Sequence, residues 1–384
     1  MASRVLTEKE ILGTLMCYSG FGGAQPIMAA SNTHAGGSSR GAKAHGKATA
    51  KEETRAKKGA SKSGNGAKNG AKPRAKRSPS LDDGFLSHMV IDNALAMAEH
   101  VGARAVFVSA DLLPQMRSLD ASKRPFDIYL VAHNVEELVP PDARACKLLK
   151  VPNIPVGRVG KIKVAMVMAA SRNLLKAGDR LVCVSGLPEA HMLDTIVVMQ
   201  VGTETEVMST TEIGDFAKQM KAGVFDTVLE LALALANEGR EGKPVGTIFV
   251  IGDMRSLKEH VRQLVLNPFK GYTERERQIL DPSVRSTIKE FSTIDGAFII
   301  STKGIVQSAG TYLEPHAVVA DLPPGLGARH HAAASITAAV PGCIAIAVSE
   351  STSEVRVFRH GRILSEIEAG SHHRLAGQTE QGTT

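Results

Sequence analysis

The hydrophobic positions divide the chain into an N-terminal segment that lacks them and a longer body in which helical and strand patterns alternate. Residues 31–80 contain no Val, Ile, Leu, Met, Phe, Tyr or Trp. Folding of such a segment cannot offset the ordering cost of about 1–2 kcal/mol per residue. We therefore expect residues 1–80 to form a mostly disordered Ala/Gly/Lys-rich tail, with a short docking helix in the first 30 residues. Residues 371–384 are expected to form a disordered C-terminal tail.

Residues 81–210 alternate between helix-period segments and continuous apolar runs, which is typical of an α/β domain with a parallel sheet. Within the first predicted helix, Met89, Ala96 and Met97 are expected to share one apolar stripe. No glycine-rich dinucleotide fingerprint and no Walker loop occur in this half. The predicted helices cover 85–101 and 161–176, and the predicted strands cover 105–109, 128–132, 180–185 and 194–201.

Residues 211–370 show a second alternation of helices and strands, which predicts a second α/β domain. A polar stretch containing Pro268, Gly271 and Pro282 interrupts it, and we expect these residues to break regular structure. The predicted elements are a helix over 225–237, a strand over 245–251, a hairpin of strands 298–301 and 305–308, an Ala-rich helix ended by Pro341, a buried strand over 343–348 and a closing ribbon of 355–358 and 362–367.

The net charge of +7, from 46 Lys and Arg against 39 Asp and Glu, is distributed unevenly along the chain. Residues 31–80 hold 13 basic and two acidic residues, whereas residues 81–384 hold 31 basic and 35 acidic residues. The basic character therefore belongs to the tail, for which we expect weak, salt-sensitive attraction to polyanions. The alternative is a solvated linker without a partner. Because no aromatic residue interleaves with the basic ones, stacking on bases is not expected there.

No apolar run approaches the roughly 18–20 residues that a membrane span needs. The first 30 residues include Glu8 and Glu10, unlike a signal peptide. The four cysteines lie far apart, without the spacing of a zinc cluster or a disulfide framework. We therefore expect a soluble, cytoplasmic protein with reduced cysteines and no membrane partner.

Three segments of the second half carry candidate chemistry. Glycines followed by basic side chains at a helix start are what polyphosphate binding requires, because free N–H groups, the helix dipole and cations then converge. Taken singly, the segments also fit an ordinary turn, an ordinary loop-to-helix junction and a strand-end cap. They are Asp295-Gly296-Ala297 at a strand start, Gly325 to Ala334 with Arg329, His330 and His331, and Ser349-Glu350 after a buried strand.

Taken together, in this order and within about 60 residues, the three segments resemble the nucleotide-binding domain of diadenylate cyclases, the enzymes that make cyclic di-AMP. The likeness covers about 225–370 and includes Gly310 to Leu313 after the hairpin. It implies an α/β domain with a mixed central sheet that condenses two ATP molecules into cyclic di-AMP with Mg²⁺ or Mn²⁺, releasing two pyrophosphates. Because each domain then binds one ATP, self-association into face-to-face dimers or larger homo-oligomers is expected.

The resemblance also implies roles for individual residues. Asp295 is expected to bind metal and assist removal of the 3′-hydroxyl proton, with Arg329 and His330 completing the catalytic set. The metal ligands are expected to be Asp295, His330 and Glu350. The ATP-binding residues are expected to be Gly296, Ala297, Gly310, Leu313, Gly327, Ala328, Arg329, His331 and Ser349.

Two positions depart from the usual family pattern. His331 stands where an Arg is common, and Ala328 stands where a hydroxyl residue is common. Because Arg is always charged and binds two phosphate oxygens, whereas His has a pKa near 6.5, phosphate binding is expected to be weaker or more pH-sensitive. An ATP-binding or cyclic-dinucleotide-binding regulatory module with weak or no catalysis is therefore the alternative function. A nucleic-acid-associated protein acting through its tail is a further one.

The first half resembles the C-terminal domain of pyruvate kinases over residues 94–103 and 174–186. That likeness implies a scaffold or ligand-sensing module without a catalytic centre, and a generic α/β unit used for oligomerisation is the alternative. The pairing of the two halves resembles one subgroup of diadenylate cyclases.

Overall fold

The computed structural model describes residues 83–112, 119, 121–134, 145–186, 191–202, 210–314, 319 and 322–368. All of them belong to one compact unit that spans Ala75–Thr384. The predicted tails over 1–80 and 371–384 lie outside the described residues, and the domain boundary near residue 210 stays a prediction. No helix among the described residues is long and apolar enough to cross a membrane.

The first half of the described chain forms a five-stranded sheet with the order β3-β2-β1-β4-β5. Strands β1 to β4 are parallel, as predicted, but β5 is antiparallel to β4. The connection from β4 to β5 is too short for the crossover that a parallel pair needs. The elements are α1 (Asp83–His100), β1 (Ala105–Ser109), β2 (Asp127–Ala132), β3 (Lys147–Lys150), α2 (Arg158–Ser171), β4 (Arg180–Ser185) and β5 (Thr195–Gln200).

Helices cover both faces of this sheet, which explains why all residues of β1 are buried. Val106 and Val108 of β1 belong to the core cluster that contains α1. Ala105 and Phe107, on the opposite face, belong to the cluster that contains α2. The apolar run over 105–109 is therefore a strand buried from two sides.

The predicted stripe on α1 is wrong. Met89 is 44% exposed and Ala96 is also exposed. The helix instead buries Ile91, Ala94, Leu95 and Ala98, whose spacing of three and four residues places them on the face toward the sheet.

The second half forms a seven-stranded mixed sheet with the order β12-β11-β10-β6-β8-β9-β7. Strands β6 and β8 are parallel, and the other recorded pairs are antiparallel. The elements are α3 (Thr210–Ala217), α4 (Val224–Glu238), β6 (Thr247–Ile251), α5 (Met254–Leu257), β7 (Val261–Gln263), α6 (Pro282–Phe291), β8 (Ala297–Ile300), β9 (Val306–Leu313), α7 (Ala328–Ala339), β10 (Ile344–Val348), β11 (Glu354–Arg359) and β12 (Arg362–Glu368).

Several elements differ from the prediction. Strand β9 continues to Leu313, so residues 310–313 belong to the strand and do not follow the hairpin. Pro282 begins α6 and does not interrupt a helix. Proline lacks a backbone N–H, but an N–H at the first helical position has no partner within the helix, so nothing is lost. Asp281 caps that helix by accepting a hydrogen bond from the N–H of Ser283 at 2.8 Å. Strands β3 and β7 and helices α3, α5 and α6 were not predicted.

The two sheets share one hydrophobic core, to which α2 and α4 both contribute. Helices α2 and α3 approach closely at Gly214, where a Cβ atom would lie 2.6 Å from the carbonyl oxygen of Ala170. Nearby, Arg172 pairs with Asp226 at 3.0 Å, which links the end of α2 to α4. Close helix contact therefore joins the two halves.

Replacement of Gly214 by Ala should lower the free energy of unfolding by about 1–2 kcal/mol, because overpacking against a backbone carbonyl costs more than alanine gains in a helix. Urea unfolding of the full chain measures this change. Gly342→Ala is the matched control, since a Cβ atom at Gly342 meets nothing within 4 Å. Equal unfolding midpoints for the two variants would contradict the close contact.

Candidate active site

A cavity of about 940 Å³ opens beside the second sheet. It is bordered by the starts of β8 and α7, the end of β9 and the turn between β10 and β11. This volume lies toward the upper end of the roughly 300–1,000 Å³ that small-molecule sites occupy. Of the residues predicted for the site, the cavity is lined by Asp295, Gly296, Ala297, Leu313, Gly327, Ala328, Arg329, His330, Ser349 and Glu350.

The backbone around Gly296 fixes the position of Asp295. Gly296 has a φ of +114°, and a Cβ atom there would lie 2.7 Å from the carbonyl carbon of Gly310 and the nitrogen of Thr311. A glycine is therefore required at this close approach to the backbone of β9, where β8 begins. Asp295 immediately precedes Gly296, and its side chain is 91% exposed at the cavity.

Gly310 of β9 lies directly against Gly296 and is not among the residues that line the cavity. Its φ is +62°, and a Cβ atom would lie 2.5 Å from the Val265 side chain. Its carbonyl accepts a hydrogen bond from the N–H of Leu264 at 3.0 Å. The predicted contact of Gly310 with ATP stays a prediction.

The N-terminus of α7 borders the cavity. Gly327 precedes the helix, and no side chain provides a cap there. A helix start leaves its first N–H groups without partners inside the helix and carries a positive partial charge. Because Gly327, Ala328 and Arg329 all line the cavity, this helix end can receive an anionic group.

The guanidinium of Arg329 brings the three predicted segments together. Its Nη1 lies 3.0 Å from Oε2 of Glu350, and its Nη2 lies 3.6 Å from Oδ1 of Asp295. The side chains of Arg329 and Glu350 are 39% and 56% exposed. Solvent-exposed ion pairs of this kind contribute only about 0–1 kcal/mol each. An incoming anion or cation can therefore replace them at small cost.

His330 lines the cavity and contacts a partly buried ionic network. It is 5% exposed, and its Nε2 accepts a hydrogen bond from Nη1 of Arg356 at 3.1 Å. Arg356 in turn pairs with Glu354 at 2.6 Å and with Glu366 at 3.0 Å.

Burial, reinforced by the charge of Arg356, lowers the pKa of His330 from 6.5 to about 4. The imidazole of His330 is therefore neutral at pH 7. With Nε2 accepting, the ring proton is on Nδ1, which is buried and has no hydrogen-bond partner.

The hydroxyl of Ser349 organises a turn. It accepts hydrogen bonds from the N–H of Thr352 at 3.3 Å and from the Thr352 hydroxyl at 2.8 Å. The N–H of Ser349 donates to the carbonyl of Glu354 at 2.9 Å. Ser349 thus positions Glu350, and its predicted hydrogen bond to phosphate stays a prediction. His331 is exposed and does not line the cavity.

Among the described residues, no group of three or more His, Cys, Asp or Glu side chains could hold a metal ion. The predicted set of Asp295, His330 and Glu350 is therefore not assembled. Because Nε2 of His330 is bonded to Arg356, His330 does not fit as a ligand in this arrangement. The carboxylates of Asp295 and Glu350 do fit, since Mg²⁺ and Mn²⁺ prefer oxygen donors and bind through one or two carboxylates plus substrate phosphates.

Sequence reasoning missed the residues that support these groups. Glu354 and Arg356 of β11 line the cavity. In the sequence, two charged residues at alternate positions of an otherwise apolar strand could have indicated them. Gly246 was also missed. A Cβ atom there would lie 2.5 Å from Nη1 of Arg329, so the guanidinium packs directly over this glycine. A lone glycine before a strand gives no such signal in the sequence.

A mixed sheet flanked by helices, with a cavity at its edge, forms the part of the chain that a nucleotide-binding family model matches. The family model described as DisA bacterial checkpoint controller nucleotide-binding matches residues 234–363, and the model described as Probable sensor domain DacZ_P matches residues 87–207. The chain is 40% identical over 208 residues to a diadenylate cyclase of Methanocaldococcus jannaschii, covering 54% of this chain and 66% of that protein. It is 36% identical over 210 residues to a diadenylate cyclase of Haloferax volcanii, covering 54% of this chain and 75% of that protein. The chain therefore belongs to the diadenylate cyclase family and is a nucleotidyltransferase.

A solved structure of a double cysteine mutant of DacA from Staphylococcus aureus is also similar. It has 20% identity and a TM-score of 0.24, and the match covers 36% of this chain and 83% of that chain. The chain spans about two thirds of the length of the Methanocaldococcus relative.

Gly246→Ala should weaken ATP binding about tenfold while changing stability little. The added Cβ atom displaces the flexible end of Arg329, which can move without disturbing the fold. Isothermal titration with ATP measures the affinity, and urea unfolding measures the stability. Gly342→Ala is the control. Unchanged ATP affinity in Gly246→Ala would contradict the assigned position of Arg329.

Acidification should destabilise the fold through His330. Between pH 6.5 and about 4 the unfolded histidine binds a proton that the folded one does not, so the free energy of unfolding falls as the pH falls. Urea midpoints at pH 7 and pH 5 measure the change. In His330→Gln the difference between the two midpoints should shrink, whereas in the exposed control His331→Gln it should match the wild type. Equal differences in all three proteins would refute the buried neutral histidine.

Proposed function

We propose that the chain is a metal-dependent diadenylate cyclase that condenses two ATP molecules into cyclic di-AMP and releases two pyrophosphates. The observation that carries the proposal is the convergence of Asp295, Arg329 and Glu350 at the N-terminus of α7 in one nucleotide-sized cavity. Membership of the diadenylate cyclase family supports it.

The triphosphate is expected to bind at the start of α7. The unbonded N–H groups of the first turn and the guanidinium of Arg329 provide donors and positive charge for the phosphate oxygens. Because the ion pairs of Arg329 are solvent-exposed, the guanidinium can turn from Asp295 and Glu350 to the phosphates. Nucleotide binding then frees both carboxylates.

The freed carboxylates of Asp295 and Glu350 are the residues that would hold Mg²⁺ or Mn²⁺. Bound there, the metal would neutralise charge on the phosphates and polarise the bonds to phosphorus. His330 has a different role in this proposal. As a buried neutral side chain tied to Arg356, it fixes the first turn of α7 and so the direction of Arg329.

Asp295 is also proposed to act on a second nucleotide. Its side chain is 91% exposed, so a nucleotide held by a facing protomer can reach it. In a face-to-face pair of protomers, each Asp295 takes the proton from a ribose 3′-hydroxyl, and that oxygen attacks the α-phosphorus of the opposite ATP. Two O3′–P bonds form, two P–O bonds to pyrophosphate break, and two protons leave.

An apolar wall offers a place for adenine. Leu264, Tyr312 and Leu313 line the cavity, and Tyr312 is 47% exposed. We infer that Leu313, which the sequence predicts as an ATP-binding residue, contacts the adenine. Aromatic and aliphatic side chains favour the flat face of a base.

The first half is proposed to regulate the cyclase and to resemble the C-terminal domain of pyruvate kinases. Its five-stranded sheet and the match to a probable sensor domain support a regulatory role. Weak binding of polyanions by residues 31–80, larger homo-oligomers and a cytoplasmic location remain predictions from the sequence.

A binding module without catalysis is the second candidate. Arg329 is engaged by two carboxylates, His330 is engaged by Arg356, and His331 lies outside the cavity. The cavity therefore presents fewer available cations than the family pattern implies. Such a module would hold ATP or cyclic di-AMP without producing it.

Asp295→Asn should lower cyclic di-AMP production at least about 100-fold, because a positioned general base contributes roughly 10²–10⁴-fold. The full chain is incubated with ATP and either Mg²⁺ or Mn²⁺, and the product is quantified by chromatography. Asp215→Asn is the matched control, since Asp215 is an exposed α3 residue paired with Lys218. Thermal unfolding verifies that both variants fold.

ATP binding without product under both metals would replace the cyclase proposal with the binding module. Full activity in Asp295→Asn would show that the reaction takes place elsewhere or that another residue removes the proton.

A further inference from the structure

Two side chains of β11, Glu354 and Arg356, line the nucleotide cavity but are assigned no step of the proposed reaction. They are two residues apart on one strand, so both lie on the same face of the sheet. Nη2 of Arg356 lies 2.6 Å from Oε2 of Glu354, and the two side chains are 11% and 18% exposed. In each ion pair of Arg329, by contrast, both partners are at least 39% exposed. The pair in β11 is therefore better shielded from water and salt.

Arg356 holds the first turn of α7. Its Nη1 donates a hydrogen bond to Nε2 of His330 at 3.1 Å, and His330 follows Arg329 in that turn. Its Nη2 also lies 3.0 Å from Oε1 of Glu366 in β12. Both terminal nitrogens of the guanidinium are thus engaged by residues of the protein. The side chain is therefore placed to support the helix start rather than to bind a phosphate.

Glu354 holds the turn that carries Glu350. The same oxygen that pairs with Arg356, Oε2, lies 2.7 Å from the hydroxyl of Thr352. That hydroxyl is also 2.8 Å from the hydroxyl of Ser349. The backbone carbonyl of Glu354 accepts the N–H of Ser349 at 2.9 Å. Glu354 therefore contacts the turn on both sides of Glu350.

One continuous set of polar contacts thus connects two sides of the cavity. It runs from Thr352 through Glu354 and Arg356 to His330. At one end lies the turn with a proposed metal ligand, and at the other lies the helix start with the proposed phosphate-binding arginine. Such connected, shielded ionic groups are costly to break, because each partner that remains would keep its charge away from water.

The proposed exchange of Arg329 makes this connection necessary. Arg329 and Glu350 contact each other directly, with 3.0 Å between Nη1 and Oε2. When a phosphate draws the guanidinium away, that contact is lost, while the carboxylate and the guanidinium still have to act on the same nucleotide. The contacts of Glu354 and Arg356 do not involve either group, so they remain when the exposed pair opens.

We propose that Glu354 and Arg356 are a pair of positioning residues that holds the Glu350 turn and the first turn of α7 in a fixed relative position. The pair thereby presents a metal-binding carboxylate and a phosphate-binding cation to one nucleotide. The second statement rests on the proposed function of the cavity, whereas the first concerns the protein without ligands.

The first statement is tested by hydrogen exchange of the ligand-free full chain, measured by mass spectrometry on peptides that contain the turn 349–352 or the first turn of α7. Glu354→Met and Arg356→Met each remove the ion pair and keep the length of the side chain. Each variant should speed exchange about threefold or more at both places, because the two places share one set of contacts. Glu238→Met is the control and should change neither, since Glu238 forms an exposed pair with Lys289 outside the cavity.

A purely local role would give a different result. Exchange would then rise only at the turn in Glu354→Met and only at the helix start in Arg356→Met. That result, or unchanged exchange in both variants, would overturn the positioning pair. Thermal unfolding shows whether the variants fold. If either Met variant does not, Glu354→Gln removes the charge of the pair but keeps a hydrogen bond acceptor for Thr352, and the helix start should still exchange faster.

The second statement is tested by isothermal titration of the full chain with α,β-methylene-ATP, a non-reactive analogue, once with Mn²⁺ and once with EDTA. In the wild type, Mn²⁺ should raise the affinity for the analogue about tenfold or more, as a metal shared by carboxylates and phosphates couples the two. Glu354→Met should lose most of this gain, because residues that orient a metal ligand typically contribute about 10–100-fold to metal affinity. Arg356→Met should lose it as well, although an arginine does not bind a metal.

Equal losses of affinity with Mn²⁺ and with EDTA would overturn the second statement, because a general weakening of the fold affects both titrations alike. Loss of the gain in Glu354→Met but not in Arg356→Met would also overturn it, since Glu354 would then act as a metal ligand itself. If Mn²⁺ has no effect on the wild type, the proposed metal site and the second statement fail together. The exchange experiment uses no nucleotide or metal and decides the first statement separately.

Discussion

The ion pairs of Arg329 with Asp295 and Glu350 are the interaction on which the candidate site depends. They join the turn before β8, the first turn of α7 and the turn after β10, which are distant in the sequence. Each partner is solvent-exposed, so the pairs are weak and exchangeable. In the proposed function, Arg329 leaves the two carboxylates for a phosphate, which would provide an anion site and a metal site in one movement. The proposed chemistry of the cavity follows from that exchange.

The weak pairs depend on rigid surroundings. Gly296 lets the start of β8 lie close to the backbone of β9, and Gly246 leaves room for the guanidinium of Arg329. Next to Arg329, the partly buried network of Arg356 with two glutamates holds neutral His330 and with it the start of α7. Catalytic sites in general need side chains that are held in position by well-packed neighbours.

Much of this arrangement follows from the sequence. Continuous apolar runs predicted β1, β6 and β10, because strands covered on both faces need no polar positions. The turn glycines and Arg329 marked an anion site, since helix starts and guanidinium groups suit phosphate. The sequence predicted the first half to be α/β. The antiparallel direction of β5 follows from its short connection to β4, and the pattern of apolar residues does not show strand direction. The metal-ligand role of His330 and the ATP contact of His331 were inferred from a motif, and a motif does not contain the burial or direction of a side chain. In the structure His330 bonds to Arg356. His331 is not among the residues that line the cavity.

The most direct test of the exchange is the position of the metal in crystals grown with α,β-methylene-ATP and Mn²⁺, located by its anomalous scattering. The account predicts a manganese peak within coordination distance of the carboxylates of Asp295 and Glu350, with the Arg329 guanidinium on the phosphates. Arg329 still bridging the two carboxylates beside a bound nucleotide, or manganese held at other residues, would contradict it.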